Sequence, residues 1–527
     1  MEVELKLLVA PEDLARVERH PALTGMRHWA ARREHLTTVY YDTPDFVLAR
    51  EGVALRVRRN GGRSVQTLKA EGLAAAGLHA REELEWPLGT GGLPNLAVLD
   101  ETPYRRLFAQ KRVRGRLQPV FTTEFDRAAR MVAFADGTAA ELAIDRGAIS
   151  AGERAAPISE AEIELKTGDA HRLFGLAREI ARDVPIRLGH ASKAERGYAL
   201  ARGKPAAPQK ARAVALDGPL SAGAALRRIA FACIAQMQAN EEGLFAGKDP
   251  EYLHQFRVGL RRLRSCLGLA GLALGKAAIA AAAAELRWLQ NALGPARDWD
   301  VLQTETLATL ARSVHAGAEL KAFRARCAPI RRGHVEAART AVGSARYTAL
   351  VLALGEHFAH DDLAGFARQA PAAAGTPTAD GAAPAHRGPG LAAPVAEFAA
   401  FGLERLDRRL RKHGADVPKA TPEARHEARI AAKKLRYATE FFGALHPKKR
   451  VAPYLGALED LQDILGALND AVVADHLLAE AVAATRQPVP DRVDGLVRGW
   501  MAAVAANELA GFKRAWREFE EAKPFWR

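Results

Sequence analysis

The first segment of the sequence places two carboxylates and a lysine at alternate positions. Residues 2 to 6 read Glu-Val-Glu-Leu-Lys, and a similar run, Glu-Ile-Glu-Leu-Lys, returns at 162–166. Side chains of a β-strand alternate between its two faces, so Glu2, Glu4 and Lys6 would share one face at a spacing of about 6.8 Å. Carboxylates on one face repel each other unless solvent or a cation intervenes. Either strand alone fits a solvated face, but two such strands favour a cation site.

Other segments with strand periodicity also carry charges at alternate positions. These residues are Arg56, Arg58, Lys69, Glu83, Glu85, Glu141 and Asp145. Each set alone fits a solvated strand face, but together they predict a sheet closed on itself around a charged lumen. Clustered carboxylates are hard oxygen ligands that suit Mg²⁺ or Mn²⁺, and clustered Arg and Lys suit phosphate oxygens. The combination is typical of phosphoryl transfer, which depends mainly on positioning and charge neutralisation.

The strands that would position these side chains lie within residues 1–202. Period-two alternation predicts further strands at 34–42, 52–59, 63–70, 80–86, 119–126, 129–135, 139–149 and 158–166. Asp136-Gly137 predicts a hairpin turn between two of them, and short helices are expected near 11–20 and 169–183. So many antiparallel strands in one domain favour a barrel or a sandwich.

The rest of the chain is predicted to be helical. A linker rich in Pro, Gly and Ala covers 203–217. Helical periodicity without convincing strands then extends over 218–520. Within it, a low-complexity loop at 366–394 separates a first bundle, 218–365, from a second, 395–520. The predicted fold class is therefore multidomain α+β, with a barrel followed by an all-α pair of bundles.

The two helical halves are related by an internal repeat, in which His254 falls on His426. At that same offset of 172 residues, Leu289-Gln290-Asn291 falls on Leu461-Gln462-Asp463. The basic residues of the first copy are His254, Arg257, Arg261, Arg262 and Arg264, and those of the second are His426, Arg429, Lys433, Lys434 and Arg436. Two separate blocks that align at one offset indicate a duplication, and hence two similar helical bundles.

The repeated basic residues form a stripe on each helix. At the helical period, His254, Arg257, Arg261 and Arg264 fall within roughly 80° of arc, and no acid occurs between 254 and 264. A solvated charged face is the alternative for one helix. Because like charges on one face are mildly destabilising, their duplication favours a polyanionic ligand.

Composition limits the ligand classes. The chain has 527 residues, a net charge of +14 and a pI of about 9.8, which attracts nucleic acid, anionic membrane or polyphosphate. Base stacking would call for aromatic residues, and the stripes contribute only Phe256 and Tyr437. No apolar run reaches the length of a membrane span, and no secretory segment precedes the first strand. Three widely spaced cysteines predict a reducing, cytoplasmic location, for which association with polyphosphate granules is a further expectation.

The first 202 residues resemble the CYTH family, the triphosphate tunnel metalloenzymes. The resemblance rests on the Glu-x-Glu-x-Lys opening, YYDTPD at 40–45, GVALRVR at 52–58, TLK at 67–69, the second EIELK and SKAERGY at 192–198. It implies an eight-stranded antiparallel barrel, open at both ends, that hydrolyses or cyclises triphosphates with a divalent metal, Mg²⁺ or Mn²⁺.

Carried over motif by motif, the same resemblance implies roles for individual residues. The implied metal ligands are Glu2, Glu4, Asp145, Glu162 and Glu164, of which Glu4 and Glu164 are also the implied catalytic residues. The implied triphosphate ligands are Lys6, Arg56, Arg58, Lys69, Arg127 and Lys193. Glu83 and Glu85 compete for one further acidic position.

The helical half resembles the CHAD domain, whose motif is a histidine followed by spaced basic residues on a helix, repeated in two four-helix bundles. The resemblance covers roughly 218–515 and implies that inorganic polyphosphate binds where the two stripes meet. All ten basic residues of the repeat are the implied polyphosphate ligands. No specific nucleic acid and no membrane span are expected.

Three functions are therefore compatible with the sequence. The first is a metal-dependent inorganic triphosphatase with a polyphosphate-binding helical domain. The second is a CYTH-type adenylyl cyclase, or a thiamine or nucleoside triphosphatase, which would need a pocket for a ring; Tyr40, Tyr41 and Trp86 are the few candidates. The third is a polyphosphate-binding scaffold without turnover. A P-loop NTPase is not supported, because no G-x-x-x-x-G-K-[ST] motif occurs.

Overall fold

The computed structural model describes residues 2–24, 26–89, 93–203, 207–216, 218–247, 249–313, 317–363, 365–366 and 388–527. The predicted low-complexity loop at 366–394 falls largely outside these residues. Contacts divide the chain into two compact units, one formed by 1–208 with 343–359 and the other by 209–342 with 360–527. No helix among the described residues is long and apolar enough to cross a membrane.

The first unit contains one antiparallel sheet of twelve strands among the described residues. The strands are β1 Glu2–Val9, β2 Arg27–His28, β3 Arg32–Asp42, β4 Val53–Asn60, β5 Arg63–Ala70, β6 Leu73–Ala75, β7 Leu78–Arg81, β8 Glu83–Leu88, β9 Gln118–Ala133, β10 Ala139–Ala151, β11 Arg154–Thr167 and β12 Ile186–Leu188. Neighbours pair in the order β6-β7-β1-β11-β10-β9-β3-β4-β5-β8.

The chain itself joins β7, near one end of this order, to β8 at the other end, so the sheet closes on itself. β7 pairs with β1, and β8 pairs with β5, yet only Glu82 separates β7 from β8. Counted as one interrupted strand, β7 and β8 complete a ring of eight with β1, β11, β10, β9, β3, β4 and β5. A side-chain contact supports this closure: Lys69 Nζ on β5 lies 2.8 Å from Glu2 Oε2 on β1. The predicted antiparallel barrel and helical second half are confirmed.

Two predicted strands have different limits in the structure. The segments 119–126 and 129–135 are one continuous strand, β9, because β3 and β10 hydrogen-bond to it on either side and override the local break in side-chain alternation. The segment 80–86 is divided at Glu82 because its two parts pair with different neighbours. The hairpin predicted at Asp136-Gly137 is present, and Gly137 adopts φ 86°, which favours glycine.

The helices complete both units. Their bounds are α1 Leu14–Glu18, α2 Pro21–Thr24, α3 Val47–Arg50, α4 Arg105–Phe108, α5 Lys111–Arg114, α6 His171–Asp183, α7 Lys193–Arg202, α8 Ala222–Gln238, α9 Glu241–Ala246, α10 Pro250–Leu274, α11 Ala280–Val301, α12 Leu307–Ser313, α13 Ala318–Val342, α14 Ala345–His357, α15 Val395–Gly414, α16 Pro422–Phe442, α17 Lys448–Thr485 and α18 Asp491–Glu521. A π-helical turn, Leu302–Thr306, joins α11 to α12.

Helix α14 belongs to the first unit, although its sequence lies far into the helical half. It packs against α6 and β12. Thr348 Oγ1 donates a hydrogen bond to the Ile186 carbonyl at 3.0 Å, and Arg178 forms an ion pair with Glu356. Gly355 permits the close approach, because a Cβ there would lie 2.3 Å from the Phe174 ring. Residues 343–359 are therefore part of the fold of the barrel unit.

Two of the sequence motifs have structural roles near the lumen. In YYDTPD, the Asp42 carboxylate accepts hydrogen bonds from the backbone N–H groups of Leu48 at 2.9 Å and Ala49 at 3.0 Å, and so anchors α3. In SKAERGY, Gly197 lets α7 pack directly on β9, since a Cβ would lie 2.1 Å from the Phe121 ring. These motifs hold the barrel's helices in place.

Candidate functional site

The lumen-facing side chains of β1 lie opposite those of β11. The register pairs Glu4 with Glu164 and Lys6 with Glu162. Lys6 is 2% exposed, and its Nζ lies 3.0 Å from Glu4 Oε1 and forms an ion pair with Glu162. Burial opposes ionisation of Glu162, but Lys193 and Lys6 outweigh it and hold the pKa of Glu162 well below its ordinary value. Glu162 is therefore a buried carboxylate that stays ionised.

Strand β9 adds a guanidinium to this cluster. Arg127 lies beside Asp145 in the β9–β10 register. Its Nε donates to Asp145 Oδ1 at 2.7 Å and its Nη2 to Asp145 Oδ2 at 2.6 Å, while Nη2 also donates to Glu162 Oε2 at 2.5 Å. Such bidentate, charge-assisted contacts fix the guanidinium in direction as well as position.

Helix α7 brings Lys193 to the same carboxylates. Ser192 caps the helix by accepting a hydrogen bond from the Glu195 N–H at 3.2 Å, and the Glu195 carboxylate accepts one from the Ser192 N–H at 2.7 Å. This reciprocal cap fixes the first turn. Lys193 follows immediately, and its Nζ lies 2.7 Å from Asp145 Oδ2 and 2.9 Å from Glu162 Oε1.

The opposite wall of the lumen carries a second network of alternating charges. Lys69 Nζ lies 2.8 Å from Glu2 Oε2 and 2.9 Å from Glu83 Oε2. Arg56 Nη2 donates to Glu83 Oε1 at 3.0 Å, and Arg81 Nε donates to Glu2 Oε2 at 3.2 Å. The network continues to β1, where Arg81 also pairs with Glu4 at 2.5 Å.

Arg58 differs from the other predicted phosphate ligands of the lumen. Its Nε donates to Thr38 Oγ1 at 3.4 Å, and within the described part of the chain it forms no ion pair with a carboxylate. Burial, together with Arg56 and Arg127, lowers the pKa of Arg58 to about 10. A cation under this repulsion would be stabilised by an incoming anion.

The carboxylates of the lumen fit a divalent cation in their chemistry and spacing. Asp145, Glu160 and Glu162 can each place one oxygen within 4.8 Å of the others, and all three are buried. Hard carboxylate oxygens suit Mg²⁺ and Mn²⁺. In the structure, Lys and Arg side chains compensate these carboxylates, so a cation here would share them with the basic residues.

A second acidic group lies at one end of β11. Burial raises the pKa of Glu164, and the nearby Glu2 and Glu141 raise it further, although Lys166 lies 2.6 Å away. Glu164 also faces Glu4 and Glu141 across the two adjoining ladders. Because the carboxylates of Glu2, Glu4, Glu141 and Glu164 lie near one another at this end, it could also hold a divalent cation.

Sequence reasoning missed two residues of the lumen and left a third undecided. Glu160 is 1% exposed and pairs with Lys193 and with Arg196, and it could have been found by extending the alternation of Glu162 and Glu164 back by two residues. Arg81 could have been found in the same way, because it lies two residues before Glu83. Of the two acids that compete for one position, Glu83 pairs with Arg56 and Lys69 in the lumen. Glu85 is exposed and accepts a hydrogen bond from Thr67.

The basic stripes of α10 and α16 meet within the second unit. Arg261 Nε on α10 donates to Tyr437 Oη on α16 at 3.2 Å. Burial, Arg261 and Arg429 lower the pKa of Arg257 to about 10. The buried Nε and Nη1 of Arg257 have no hydrogen-bond partner within the described residues. The space between α10 and α16, which we call the basic groove, therefore concentrates cations that form no ion pair within the described part of the chain.

Four of the ten predicted polyphosphate ligands are central to this groove, and the others have different surroundings. The central residues are Arg257, Arg261, Arg429 and Lys433. Burial lowers the pKa of His254, and Arg297, Arg261 and Arg257 lower it further. His426 is exposed and lies 3.3 Å from Asn469 Oδ1. Lys434 is half-buried, with Arg409 and Arg264 nearby.

Three basic residues of the stripes are held by polar partners. Arg262 is 5% exposed, forms an ion pair with Glu440 and lies over the Phe441 ring at 4.9 Å. Arg264 donates to Gln290 and Arg436 to Gln462. These last two contacts occupy equivalent positions in the repeat, so the duplication extends to the hydrogen bonds.

Two carboxylates of the basic groove were not singled out by sequence. Burial and Asp470 raise the pKa of Asp298, although Arg257 and Arg429 oppose them. Asp298 on α11 and Asp470 on α17 are equivalent residues of the repeat and face the same arginines. The 172-residue repeat relates the two positions, but a single carboxylate that follows an apolar helix face does not by itself indicate a binding site.

Comparison with protein families agrees with this architecture. The CYTH domain model matches residues 1–198, and the CHAD domain model matches residues 228–479. The chain joins a CYTH domain to a CHAD domain. The lumen network therefore lies in the CYTH domain and the basic groove in the CHAD domain.

Among curated proteins, an inorganic triphosphatase from Haemophilus influenzae is 36% identical over 201 residues. These are 38% of this chain and 54% of that protein, so the match spans about half the length of the relative. Among solved structures, the CHAD domain from the plant Ricinus communis is 32% identical with a TM-score of 0.48, covering 60% of this chain and 98% of that one.

A solved adenylyl cyclase candidate from Hippeastrum with a dominant triphosphatase activity is similar to the CYTH domain. It is 21% identical with a TM-score of 0.30, covering 39% of this chain and 98% of that one.

Proposed function

We propose that the CYTH domain is a metal-dependent inorganic triphosphatase, which converts triphosphate and water to pyrophosphate and phosphate. The observation that carries this proposal is the lumen itself, where buried carboxylates and buried cations alternate over strands from opposite sides of the barrel. The match to a protein named inorganic triphosphatase supports the choice of substrate.

The residues of the lumen would have two roles in this reaction, phosphate binding and metal binding. Arg56, Arg58, Lys69 and Lys193 would bind and orient the phosphate oxygens. Of these four cations, Arg58 forms no ion pair with any carboxylate that the structure describes. The carboxylates predicted as metal ligands, Glu2, Glu4, Asp145, Glu162 and Glu164, would hold Mg²⁺ or Mn²⁺ together with Glu160. When bound, the cation would neutralise charge on the transferred phosphate.

The alternative CYTH activities need room for a base or a thiazolium ring. Tyr40, one of the aromatic residues considered for such a pocket, is 3% exposed and stacks on Phe121 with 4.4 Å between ring centroids. Tyr41 and Trp86 pack in the apolar cluster between the sheet and the short helices. All three aromatic side chains are thus engaged in packing, which favours a substrate made only of phosphates.

Phosphate release from triphosphate, ATP and thiamine triphosphate, measured side by side with Mg²⁺ and with Mn²⁺, tests this assignment. We expect the highest kcat/KM for triphosphate. A preference for ATP with cyclic AMP as product would establish the cyclase instead. Absence of turnover with every substrate, with polyphosphate binding retained, would leave the scaffold function.

We further propose that the CHAD domain binds inorganic polyphosphate in the basic groove. The support is the clustering of four cations from two helices, none of which forms an ion pair among the described residues, and the scarcity of aromatic residues that could stack on bases. Counterion release should make the affinity fall steeply with salt, as it does for other linear polyanions. Binding should be abolished when Arg257, Arg261, Arg429 and Lys433 are replaced by Ala together.

The test uses the full chain, because α14 ties part of the helical sequence to the barrel unit. Long-chain polyphosphate and double-stranded DNA are titrated at matched ionic strength, and triphosphate turnover is measured on the same variant. We expect loss of polyphosphate binding with turnover retained. Equal affinity for DNA in the wild type would show that the groove is a general anion surface.

A further inference from the structure

Tyr437 carries a hydroxyl group into the basic groove. It lies on α16, four residues after Lys433 and eight after Arg429, so at the helical period it continues the basic stripe by one turn. The residue is 9% exposed, and Phe256, the other aromatic residue of the stripes, is fully buried. Neither ring has the free face that stacking on a base needs. What Tyr437 offers to the groove is therefore its hydroxyl.

A hydrogen bond across the groove joins this hydroxyl to α10. Arg261 Nε donates to Tyr437 Oη at 3.2 Å. Within the described part of the chain, the guanidinium of Arg261 makes no other hydrogen bond and no ion pair. Tyr437 is thus the residue that sets the direction of this guanidinium. Because an arginine has five N–H donors, four of them remain for a ligand.

A neutral acceptor orients an arginine without cancelling its charge. Arg262, the next residue of α10, shows the contrast, because its guanidinium forms an ion pair with the Glu440 carboxylate. Arg261 is held by a phenol instead of a carboxylate, so its positive charge is fixed in position and still uncompensated. This is the arrangement that a binding site for an anion requires.

The hydroxyl of Tyr437 also has a hydrogen of its own to donate. A phenolic hydroxyl both accepts and donates, and among the residues that the structure describes it donates to no acceptor. Donation from a charged guanidinium polarises the O–H bond and strengthens it as a donor. In the same groove, the buried Nε atoms of Arg257 and Arg429 have no hydrogen-bond partner within the described residues. Several donors of the groove would therefore be satisfied only by an added acceptor.

We propose that Tyr437 binds polyphosphate directly, together with Arg261. Its hydroxyl accepts the Arg261 N–H and donates its own hydrogen to a phosphate oxygen, while the guanidinium that it orients binds the same chain of phosphates. The inference rests on the proposed polyphosphate function and adds to it a neutral ligand that the basic stripes do not include.

The duplication does not repeat this contact. At the offset of 172 residues, Arg261 corresponds to Lys433 and Tyr437 to Ser265. No hydrogen bond joins Lys433 to Ser265 among the described residues. The two sides of the groove are therefore unequal, and a substitution at Tyr437 changes a contact that has no second copy.

Tyr437→Phe removes the hydroxyl at nearly constant shape. Hydrogen bonds to charged groups are among the stronger ones, so their loss should weaken the affinity for polyphosphate about 10- to 100-fold. Because no charge is removed, the slope of log affinity against log salt should equal that of the wild type. Arg261→Ala should lower the affinity and also make this slope shallower by about one. Arg261→Lys keeps the charge but loses the oriented fork, and should lower the affinity at an unchanged slope.

Calorimetric titration of the full chain with long-chain polyphosphate, at several salt concentrations, tests the proposal. The matched control is Tyr454→Phe, which removes a hydroxyl that donates to Asp407 at 2.6 Å within the same unit. This control should lower the Tm and leave the affinity unchanged. The combination of Tyr437→Phe with Arg261→Ala should lose less affinity than the product of the two separate losses, because the two side chains are in contact.

The outcomes separate the inference from the function on which it rests. If the wild type binds no polyphosphate, the proposed function of the groove fails. If the wild type binds and Tyr437→Phe binds equally well, the role of Tyr437 fails while the binding function stands. A shallower salt slope in Tyr437→Phe would also contradict the proposal, because it would mean that cations have been displaced. Far-ultraviolet circular dichroism checks the fold of each variant. If Tyr437→Phe does not fold, wild-type affinity in Arg261→Lys would overturn the proposal.

Discussion

Replacement of Glu4 by Gln tests whether this buried carboxylate is needed for turnover or only for the stability of the barrel. Glu4 is 4% exposed; Lys6 Nζ lies 3.0 Å from its Oε1 and Arg81 Nη2 lies 2.5 Å from it. Burial raises the pKa of Glu4, but Lys6 and Arg81 outweigh it and keep the pKa below the ordinary value. The wild-type side chain is therefore an anion at neutral pH, and Gln removes its charge at almost constant volume.

The structural cost of this change should be modest. After substitution, Lys6 keeps its ion pair with Glu162 and Arg81 keeps Glu2 at 3.2 Å, so neither cation is left alone. Two contacts between a cation and a carboxylate become contacts between a cation and a neutral amide oxygen, at a cost of about 1 kcal/mol each, which gives a loss of about 2 kcal/mol in the free energy of unfolding. For a unit of this size, that corresponds to a decrease of about 4–8 °C in Tm.

The catalytic cost should be much larger if Glu4 binds the metal. Loss of an outer-sphere partner of a metal ligand commonly costs 10- to 100-fold, so loss of a ligand should lower kcat/KM at least about 100-fold. Phosphate release at saturating Mg²⁺ gives the activity, and thermal unfolding gives the stability. Glu12→Gln, at an exposed carboxylate outside the lumen, is the control. Wild-type turnover in Glu4→Gln would refute the metal assignment, and loss of the folded state would show that the carboxylate is structural.

Three further predictions follow from buried contacts. Arg262→Met should lower the stability of the helical unit by roughly 2–4 kcal/mol, because it breaks the buried ion pair with Glu440. The affinity for polyphosphate should stay nearly unchanged. A large loss of affinity alongside the loss of stability would contradict this prediction. The pKa of Glu162 is lowered in the folded state, so the ionised Glu162 should contribute fully to stability above its ordinary pKa of 4.5. This contribution should be lost as the pH falls below 4.5. A Tm that does not decline between pH 5 and pH 3 would argue against this prediction. Gly355→Ala should lower the Tm of the barrel unit and its turnover, because the new Cβ would meet the Phe174 ring, whereas Gly456→Ala, where a Cβ has open space, should not.

The parts of the fold that were predicted correctly depend on local periodicity. Alternate residues placed Glu2, Glu4 and Lys6 on one face, and the same rule placed Arg56 and Arg58 in the lumen. Periodicity also placed His254, Arg257 and Arg261 on one face of α10. A period defines which residues share a face, and the closure of the sheet then brings the faces together.

The parts that could not be predicted depend on contacts between distant segments. Glu83 and Glu85 share a strand face, and only the pairing of β8 with β5 shows that Glu83 meets Lys69, whereas the exposed Glu85 lies opposite Thr67. Arg262 and Arg261 are adjacent in sequence, yet Arg262 is buried against Glu440, a residue of the other repeat. Helix α14 was recognisable as helical, but its sequence does not reveal that it packs on the barrel unit.

The place of α14 also has a consequence during synthesis on the ribosome. The barrel strands and α6 leave the ribosome first, and roughly 135 residues separate the end of the first segment of that unit, at 208, from the start of the second, at 343. At about 5–20 residues per second, the surface of α6 that contacts Gly355 waits roughly 7–27 s for its partner. During this interval the nascent barrel exposes an apolar helix face around Phe174. The newly made protein is thus most vulnerable to aggregation, and most dependent on chaperones, after its barrel strands are complete and before α14 is synthesised.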